Sequence, residues 1–312
     1  MTSAYADPPP VTVRVPAKVN LELNVGPVRA DGYHSLSTIY QAVAIYDDVT
    51  VAIADDWGVA VTGPLAAGVP ADETNLALRA ARLLGTHVGS AEPVHVTIRK
   101  NIPVAGGMAG GSADAAAALV ACDALWDAGF EREELIDLAA ELGSDVPFLI
   151  LGGTAMGSGR GEQMASALAR GTFHWVFALS DEGLSTPAVY AECDRLRARA
   201  GVAVPEPRPT PELMSALRAG DARALAATLR NDLQEAAISL RPALGEILAA
   251  GLDEGALGGV VSGSGPTVAF LVATPEAGID LAVALTASGM TADVRRASGP
   301  THGAHIIPTR VD

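Results

Sequence analysis

The stretch "NIPVAGGMAGGSADAAAALVACDALW", residues 101–126, places two pairs of glycines directly before a long run of alanines. It follows the β-branched segment "PVHVTIRK", residues 93–100, which is typical of a strand. We predict a strand, a glycine-rich turn and a helix that begins at Gly111 or Ser112 and ends at Trp126. This arrangement favours anion binding, because glycines let backbone N–H groups approach a ligand and the helix dipole attracts negative charge.

Four glycines of this loop would supply the close approach: Gly106, Gly107, Gly110 and Gly111. Ser112, at the predicted helix start, would cap the helix or contact a phosphate or its metal ion. Glycine pairs are also common in tight turns, but a flexible linker would not be pinned between a strand and a helix. The loop has neither the G-K-[ST] of a Walker loop nor the pattern G-x-G-x-x-G, so a phosphate-binding lysine must come from elsewhere in the chain.

The length and charge of the chain argue against several classes of protein. Its 312 residues fit about two domains. Its formal charge of −15 argues against a nucleic-acid partner, because such binding relies on clustered lysines and arginines. No apolar run reaches the ~18 residues of a membrane span, and the start "MTSAYADPPPVTV" does not have the pattern of a signal sequence. We therefore expect a cytoplasmic protein that binds neither nucleic acid nor a membrane.

The cysteines and the last two histidines do not have the spacing of a metal site. Cys122 and Cys193 lie far apart and outside any C-x-x-C pattern, so neither a disulfide framework nor a zinc site is predicted. His302 and His305 have i, i+3 spacing without a neighbouring carboxylate or cysteine. No residue is predicted to be a metal ligand.

Lysine is rare in this chain, which makes its positions informative. Of 21 lysines and arginines, only Lys18 and Lys100 are lysines. A genome bias toward arginine codons explains the arginines but leaves the two exceptions unexplained. Because an ammonium and a guanidinium differ in shape and in how readily the pKa shifts, positions that keep lysine are candidates for chemistry.

The pattern of apolar residues predicts an α+β protein of two domains, residues 1–170 and 171–312. In the first domain, strands precede the segment 75–88, which has helical spacing and Thr74 or Asn75 as its cap. In the second domain, strands and helices follow one another. No repeat of solenoid length is present.

Three segments resemble the motifs of one kinase family. The loop segment "PVAGGMAGGSADAA" is similar to the second motif of the GHMP kinases, P-x-x-x-G-L-G-S-S-A-A. The segments "PAKVNLELNVGPVRADGYHSLSTIYQ" (16–41) and "GGVVSGSGPTVAFLV" (258–272) resemble the first and third motifs. The resemblance implies a two-domain fold: an N-terminal domain like ribosomal protein S5 domain 2 and a ferredoxin-like C-terminal domain. The active site would lie in the cleft between these domains.

The resemblance also implies a catalytic pair. Lys18 in "PAKVN" and Asp145 in "GSDVP" match the positions of the catalytic residues of the family. The chemistry fits, since an attacking alcohol needs a carboxylate to accept or orient its proton and a cation to stabilise the developing charge. Without the family, Asp145 is typical of a turn residue, and Lys18 of an exposed lysine on an edge strand.

The acceptor expected from the resemblance is a CDP-linked methylerythritol, phosphorylated on its 2-hydroxyl. The combination of P-A-K-x-N, R-x-D-G-Y-H and G-G-x-x-G-G-S is that of the family members that use this small molecule. Asn20 would contact a substrate hydroxyl, Tyr33 and Tyr190 would stack on the cytosine, and His34 would hydrogen-bond it. Without the family, "ADG" is typical of a turn, Tyr33 of a partly buried aromatic residue and His34 of an ordinary surface histidine.

ATP and Mg²⁺ are the implied cofactors. The residues assigned to ATP are Lys100, Pro103, Gly106, Gly107, Gly110, Gly111 and Ser112. The loop differs from the family pattern at Met108, where leucine is usual, at Ala105 and Ala109, where glycines are usual, and at Ala113, where a second serine is common. We expect that neither Ala105 nor Ala109 needs a positive φ. Ala113 supplies no hydroxyl for a phosphate or metal contact.

Two alternatives stay open at this point. Another GHMP kinase, of the homoserine or mevalonate type, would share the three motifs, although "DGYH" and Tyr190 favour a cytidine-containing acceptor. A catalytically silent relative that only binds a nucleotide is the second alternative, and the presence of both Lys18 and Asp145 counts against it. The sequence makes no prediction about the oligomeric state.

Overall fold

The computed structural model describes residues 7–89, 91–104, 106–180, 182–201 and 203–308. Its strands are β1 (Val11–Val28), β2 (His34–Ile53), β3 (Gly58–Thr62), β4 (Val94–Arg99), β5 (Thr154–Ser158), β6 (Gln163–Ser166), β7 (Phe173–Leu179), β8 (Arg230–Asn231), β9 (Gly258–Val261), β10 (Val268–Val272), β11 (Asp293–Gly299) and β12 (His305–Ile307). Its helices are α1 (Leu76–Val88), α2 (Gly110–Trp126), α3 (Arg132–Leu142), α4 (Val146–Leu151), α5 (Thr186–Ala200), α6 (Pro211–Ala219), α7 (Ala222–Ala226), α8 (Gln234–Leu240), α9 (Ala243–Asp253) and α10 (Pro275–Ser288).

The strands form two sheets. The first has the path β12-β1-β2-β4-β3, with β5 and β8 added to β2 and β1 and with β6 paired to β5. The second has the order β11-β7-β10-β9. The C-terminal half of the chain thus supplies β8 and β12 to the first sheet. The division at residues 170 and 171 stays a prediction.

The long antiparallel pair of β1 and β2 carries the first motif. In its register Lys18 lies opposite Ala42, and Asn20 lies opposite Tyr40. The register shifts between Asn20 and Glu22, which marks a β-bulge. A bulge re-aims neighbouring side chains and is frequent beside functional sites. The pairing therefore brings polar side chains of two strands together at this position.

The alanine-rich helix α2 packs against β1, β2 and α1. Five alanines of its first turns, Ala113 and Ala115–Ala118, are completely buried. Small side chains let a helix approach a sheet closely, and a helix that is buried all round needs no polar face. The helix begins at Gly110 and ends at Trp126, which confirms its prediction to within two residues.

The helix predicted at residues 75–88 is also confirmed. Asn75 caps α1, because its side-chain oxygen accepts a hydrogen bond from the amide of Ala77 at 2.9 Å. Gly143 ends α3. The next apolar run, which the sequence shows only as a buried segment, forms the short helix α4, with Pro147 in its first turn. Proline is tolerated there because the first amides of a helix have no intrahelical partner.

Across the described ranges of the chain, no helix combines the length and apolar character needed to cross a membrane. Cys122 and Cys193 are both buried and free. The rings of His302 and His305 lie 6.5 Å apart. No group of three or more His, Cys, Asp or Glu side chains suited to a metal ion occurs among these residues.

Candidate active site

A cleft of about 780 Å³ lies between the first sheet with its loops on one side and α5 with the β9–β10 turn on the other. It is lined by residues of all three motifs, which are remote in sequence. Those predicted as site residues are Lys18, Asn20, Tyr33, His34, Gly106, Gly107, Gly110, Gly111, Ser112, Asp145 and Tyr190. Lys100 and Pro103 do not line it. The fold therefore brings eleven of the thirteen predicted residues together.

Lys18 and Asp145 meet in this cleft. The ammonium nitrogen of Lys18 lies 3.6 Å from Oδ2 of Asp145 and donates a hydrogen bond of 2.6 Å to Oδ1 of Asn20. Lys18 projects from β1 and is only 3% exposed. Asp145 stands immediately before α4 and makes no capping bond with its side chain. The carboxylate is thus free of the local helix and faces the lysine.

A chain of hydrogen bonds fixes the amide of Asn20. Its Nδ2 donates to Oγ1 of Thr38 at 2.8 Å, and the Thr38 hydroxyl donates to the carbonyl of Glu22 at 2.7 Å. Because the amide nitrogen is held on β2, the amide oxygen faces Lys18. This chain sets the direction of the lysine.

Tyr40 is a site residue that the sequence analysis did not identify. Its hydroxyl donates to Oδ1 of Asp145 at 3.0 Å, and its ring stacks on Phe148 with 4.9 Å between centroids. Burial raises the pKa of the Tyr40 phenol well above its usual value, and the charge of Asp145 raises it further, so the hydroxyl stays a donor. Its place in the first motif is the sequence feature that could have identified Tyr40. Its contact with Asp145 depends on the pairing of Asn20 with Tyr40 in the sheet.

The glycine-rich loop packs against the turn of the third motif. Gly107 has φ +73°, and a Cβ atom there would lie 2.0 Å from the carbonyl oxygen of Ser262. The hydroxyl of Ser262 in turn donates to the carbonyl of Gly107 at 2.9 Å. The backbone of the loop is also tied to β1, because the amide of Lys18 donates to the carbonyl of Met108 at 3.3 Å. Only glycine fits at position 107.

The start of α2 differs from the prediction in one respect. Ala109 is the N-cap residue with φ 61° and ψ 36°, which is the left-handed region, and no side chain caps the helix. The expectation that Ala109 avoids a positive φ is therefore wrong, since the chain turns here directly into the helix. Ser112 lies within the first turn and does not cap it. Ala105 lies outside the described residues.

The uncapped helix start leaves backbone donors at the cleft. The amide of Ala113 donates to the carbonyl of Ala109 at 2.8 Å, which is the first bond of the helix. The amides of the preceding first-turn residues have no carbonyl partner within the helix. A Cβ atom at Gly111 would meet nothing within 4 Å, so this side of the turn is open. The first turn of the helix therefore fits an anion. The side chain of Ala113 is buried and does not reach the position of this anion.

Lys100 lies beneath the loop, contrary to the nucleotide contact expected for it. Its ammonium donates to Oδ2 of Asp47 at 2.6 Å, to Oδ2 of Asp114 at 2.6 Å and to the carbonyl of Gly110 at 2.8 Å. All three of its N–H groups therefore have acceptors, and the side chain is 1% exposed. Burial raises the pKa of Asp114 well above its usual value. Lys100 thus joins β4 to the first turn of α2.

One end of the cleft is aromatic. The guanidinium carbon of Arg160 lies 5.1 Å from the ring centroid of Tyr33, which is 57% exposed. Nε2 of His34 lies 3.0 Å from Oδ1 of Asp194, and the rings of His34 and Tyr190 are 5.1 Å apart. Burial and the charge of Asp145 raise the pKa of Tyr190. Arg160 and Asp194 were not identified from the sequence, because their neighbours come from distant parts of the chain.

Comparison with known proteins agrees with this architecture. Residues 75–153 match the GHMP kinases N terminal domain, and residues 213–289 match the GHMP kinases C terminal domain. The chain belongs to the GHMP kinases, which are ATP-dependent small-molecule kinases. The predicted family and the two-domain α+β fold are both confirmed.

Two relatives that are more than half identical to this chain carry the same name. The chain is 56% identical over 298 residues to the 4-diphosphocytidyl-2-C-methyl-D-erythritol kinase of Mycolicibacterium smegmatis, with 96% of this chain and 92% of that protein covered. It is 58% identical over 308 residues to the protein of the same name from Thermobifida fusca, with 96% and 99% covered. A crystal structure of 4-(cytidine 5'-diphospho)-2C-methyl-D-erythritol kinase superposes with a TM-score of 0.74 at 32% identity, covering 92% of this chain and 98% of that one.

The mevalonate kinase of L. major shows the same fold at only 15% identity, with a TM-score of 0.73 and 97% of this chain and 100% of that chain covered.

Proposed function

We propose that this enzyme transfers the γ-phosphoryl group of ATP to the 2-hydroxyl of 4-diphosphocytidyl-2-C-methyl-D-erythritol. The products are the 2-phosphate and ADP, and the reaction belongs to the non-mevalonate route to isoprenoid precursors. The observation that carries the proposal is the pair of Lys18 and Asp145, 3.6 Å apart in the same cleft as the glycine loop and the "DGYH" turn. Relatives of that name, which are 54–58% identical, support the choice of acceptor.

Asp145 and Lys18 divide the chemistry of the attacking alcohol. The carboxylate of Asp145 accepts or orients the hydroxyl proton, and the ammonium of Lys18 stabilises the negative charge that develops at the transferred group. Tyr40 holds Oδ1 of Asp145 in place and leaves Oδ2 toward the lysine. Asn20 holds the lysine from the other side, and the second lone pair of its Oδ1 would accept a hydrogen bond from a substrate hydroxyl.

The first turn of α2 and the glycine loop fit the phosphates of ATP. Gly106, Gly107, Gly110 and Gly111 line the cleft, and no side chain caps the first amides of the turn. When bound, ATP and Mg²⁺ supply the phosphoryl group and neutralise its charge. The Ser112 hydroxyl, which lines the cleft, is the candidate to contact a phosphate or the ion. Pro103 and Lys100 do not line the cleft, and Lys100 instead holds the carbonyl of Gly110.

The aromatic end of the cleft fits the cytosine of the acceptor. Tyr33 and Tyr190 would stack on the base, each contact contributing about 1 to 3 kcal/mol, on the scale of base stacking on aromatic side chains. His34, held by Asp194, would hydrogen-bond the base. These roles make cytidine binding the part of the proposal that separates this enzyme from other members of the family.

The setting of the reaction follows from its reactants. Residues 1–170 would form the ATP-binding domain, and residues 171–312 would close the cleft from the other side. The partner is a small molecule, and we place the enzyme in the cytoplasm, where ATP is available. With a formal charge of −15 the chain is not suited to bind nucleic acid.

A panel of acceptors tests the proposal. The protein is incubated with ATP, Mg²⁺ and, in separate reactions, 4-diphosphocytidyl-2-C-methyl-D-erythritol, homoserine or mevalonate, and the release of ADP is followed by a coupled assay. We expect ADP with the CDP-linked alcohol only. Turnover of homoserine or mevalonate in its place would overturn the assignment. ATP binding without turnover of any acceptor would instead identify a silent relative.

A further inference from the structure

At the acceptor end of the cleft, Arg160 is a cation without a carboxylate partner among the residues that the structure describes. Among the described residues that line the cleft, the basic side chains are Lys18, His34 and Arg160. Lys18 pairs with Asp145, and His34 lies against Asp194. Within the described part of the chain, Arg160 has no carboxylate oxygen within 4.0 Å of its guanidinium nitrogens, and its group rests on the Tyr33 ring.

Hydrogen bonds fix the backbone around Arg160. The carbonyl of Gly159 accepts a hydrogen bond from the amide of Leu36 at 2.8 Å, and the amide of Gly161 donates to the carbonyl of Ser158 at 2.9 Å. The amide of Arg160 donates to Oε2 of Glu162 at 2.6 Å. The β5–β6 loop therefore presents the guanidinium from a rigid base, at little cost in backbone entropy on binding.

The β5–β6 loop that carries Arg160 lies beside both the aromatic residue Tyr33 and the reacting centre at Tyr40. On one side its guanidinium contacts Tyr33. On the other side, a Cβ atom at the adjacent Gly161 would lie 3.0 Å from the hydroxyl of Tyr40, which bonds Asp145 at the reacting centre. In a CDP-linked alcohol, the diphosphate lies in the same order, between the base and the alcohol.

We propose that the guanidinium of Arg160 binds the diphosphate of the acceptor. This inference rests on the proposed function, since it assumes a nucleoside diphosphate at this end of the cleft. A guanidinium matches phosphate oxygens with two parallel hydrogen bonds, which are stronger than bonds between neutral groups. The acceptor brings negative charge to a cleft that already holds Asp145 and Asp194, and Arg160 is the group placed to offset it. Contact with Tyr33 holds the guanidinium near the diphosphate before binding.

The test compares ligands that differ in the diphosphate alone. The affinities of CDP and cytidine are measured by calorimetry on the wild type, Arg160→Gln and Arg160→Lys. Arg82→Gln is the matched control, because Arg82 also lies over an aromatic ring, that of Trp57 at 5.7 Å, but outside the cleft. We expect Arg160→Gln to weaken CDP binding about 10- to 100-fold, the scale of charge-assisted hydrogen bonds. Cytidine affinity should stay within about twofold, and lysine should restore part of the loss.

Steady-state kinetics give the second readout. Arg160→Gln should raise KM for the CDP-linked alcohol by about the same factor as it weakens CDP binding, with kcat changed less than about threefold and KM for ATP unchanged. Equal losses for CDP and cytidine, or no loss for CDP, would overturn the role of Arg160 while leaving the proposed function standing. Failure of the wild type to bind cytidine or CDP and to phosphorylate the CDP-linked alcohol would overturn both.

Discussion

The ammonium of Lys18 lies 3.6 Å from Oδ2 of Asp145, which is ion-pair distance but longer than a hydrogen bond. The short contact of the lysine is the 2.6 Å hydrogen bond to Asn20. The amide of Asn20 therefore orients Lys18, and the lysine is not hydrogen-bonded to the carboxylate of Asp145. An ammonium held this way remains available to a phosphoryl oxygen, and the carboxylate remains available to an alcohol.

Removing either charge of this pair should abolish most of the turnover. We expect Asp145→Asn and Lys18→Ala each to lower kcat by at least ~10²-fold, the scale of general acid–base and electrostatic contributions. Asp253→Asn, on an exposed end of α9, is the control and should leave kcat unchanged. Steady-state kinetics at saturating ATP measure the effect. Near-normal turnover in either variant would remove that residue from the mechanism.

Tyr40 should contribute through the position of Asp145. Tyr40→Phe keeps the ring on Phe148 but removes the hydroxyl that donates to Oδ1 at 3.0 Å. Because one charge-assisted hydrogen bond contributes about 1.5–3 kcal/mol, kcat should fall about 10- to 100-fold, with little change in KM for ATP. Tyr46→Phe, which removes a hydroxyl bonded to Thr301, is the matched control. Equal kcat in the two variants would assign Tyr40 a packing role only.

The sequence predicted the parts of this protein that local pattern determines. The strand before the loop and helix α2 follow from β-branched and alanine-rich runs, and both lie where predicted. The motifs also predicted Lys18 and Asp145, which the fold brings together. These features depend either on residues that are close in sequence or on a match to a complete family motif.

What the sequence did not predict depends on contacts between distant segments. Tyr40 meets Asp145 because β2 pairs with β1 in one particular register. The rarity of lysine marked Lys100 as unusual. Rarity alone does not distinguish a lysine that contacts a ligand from one in a buried ion pair. The structure shows Lys100 in buried ion pairs. The positive φ of Ala109 was missed because alanine rarely adopts it.

Ala109 should be a site where glycine stabilises the fold. The residue has φ 61°, which is unfavourable for alanine and free of strain for glycine. We expect Ala109→Gly to raise the free energy of unfolding by about 0.5–1 kcal/mol. Ala113→Gly is the control, since in the buried helix interior the same change should lower the free energy of unfolding by about 1 kcal/mol or more. Urea unfolding measures both, and a loss of stability in Ala109→Gly would contradict the strain assigned here.

The buried cluster of Lys100, Asp47 and Asp114 should make stability depend on pH. Burial raises the folded-state pKa of Asp114 above its unfolded value, so its favourable contribution is complete below the unfolded pKa and is lost as the pH rises through the folded pKa. Asp114→Asn keeps an oxygen for Lys100 but does not titrate. Relative to this variant, the wild type should lose stability as the pH rises from the unfolded-state pKa of an aspartate, about 4, toward the raised folded-state pKa of Asp114. Unfolding free energies at several pH values measure this, and a constant difference would contradict it.

The position of phosphate transfer tests the central claim most directly. After incubation with ATP, Mg²⁺ and 4-diphosphocytidyl-2-C-methyl-D-erythritol, the product is examined by proton-coupled ³¹P NMR. Carbon 2 of the methylerythritol carries no hydrogen, so a phosphate on its oxygen has no proton three bonds away. We predict one new phosphomonoester singlet beside an intact diphosphate. A doublet or triplet, which would place the phosphate on another oxygen of the alcohol, or no new monoester signal, would contradict the account.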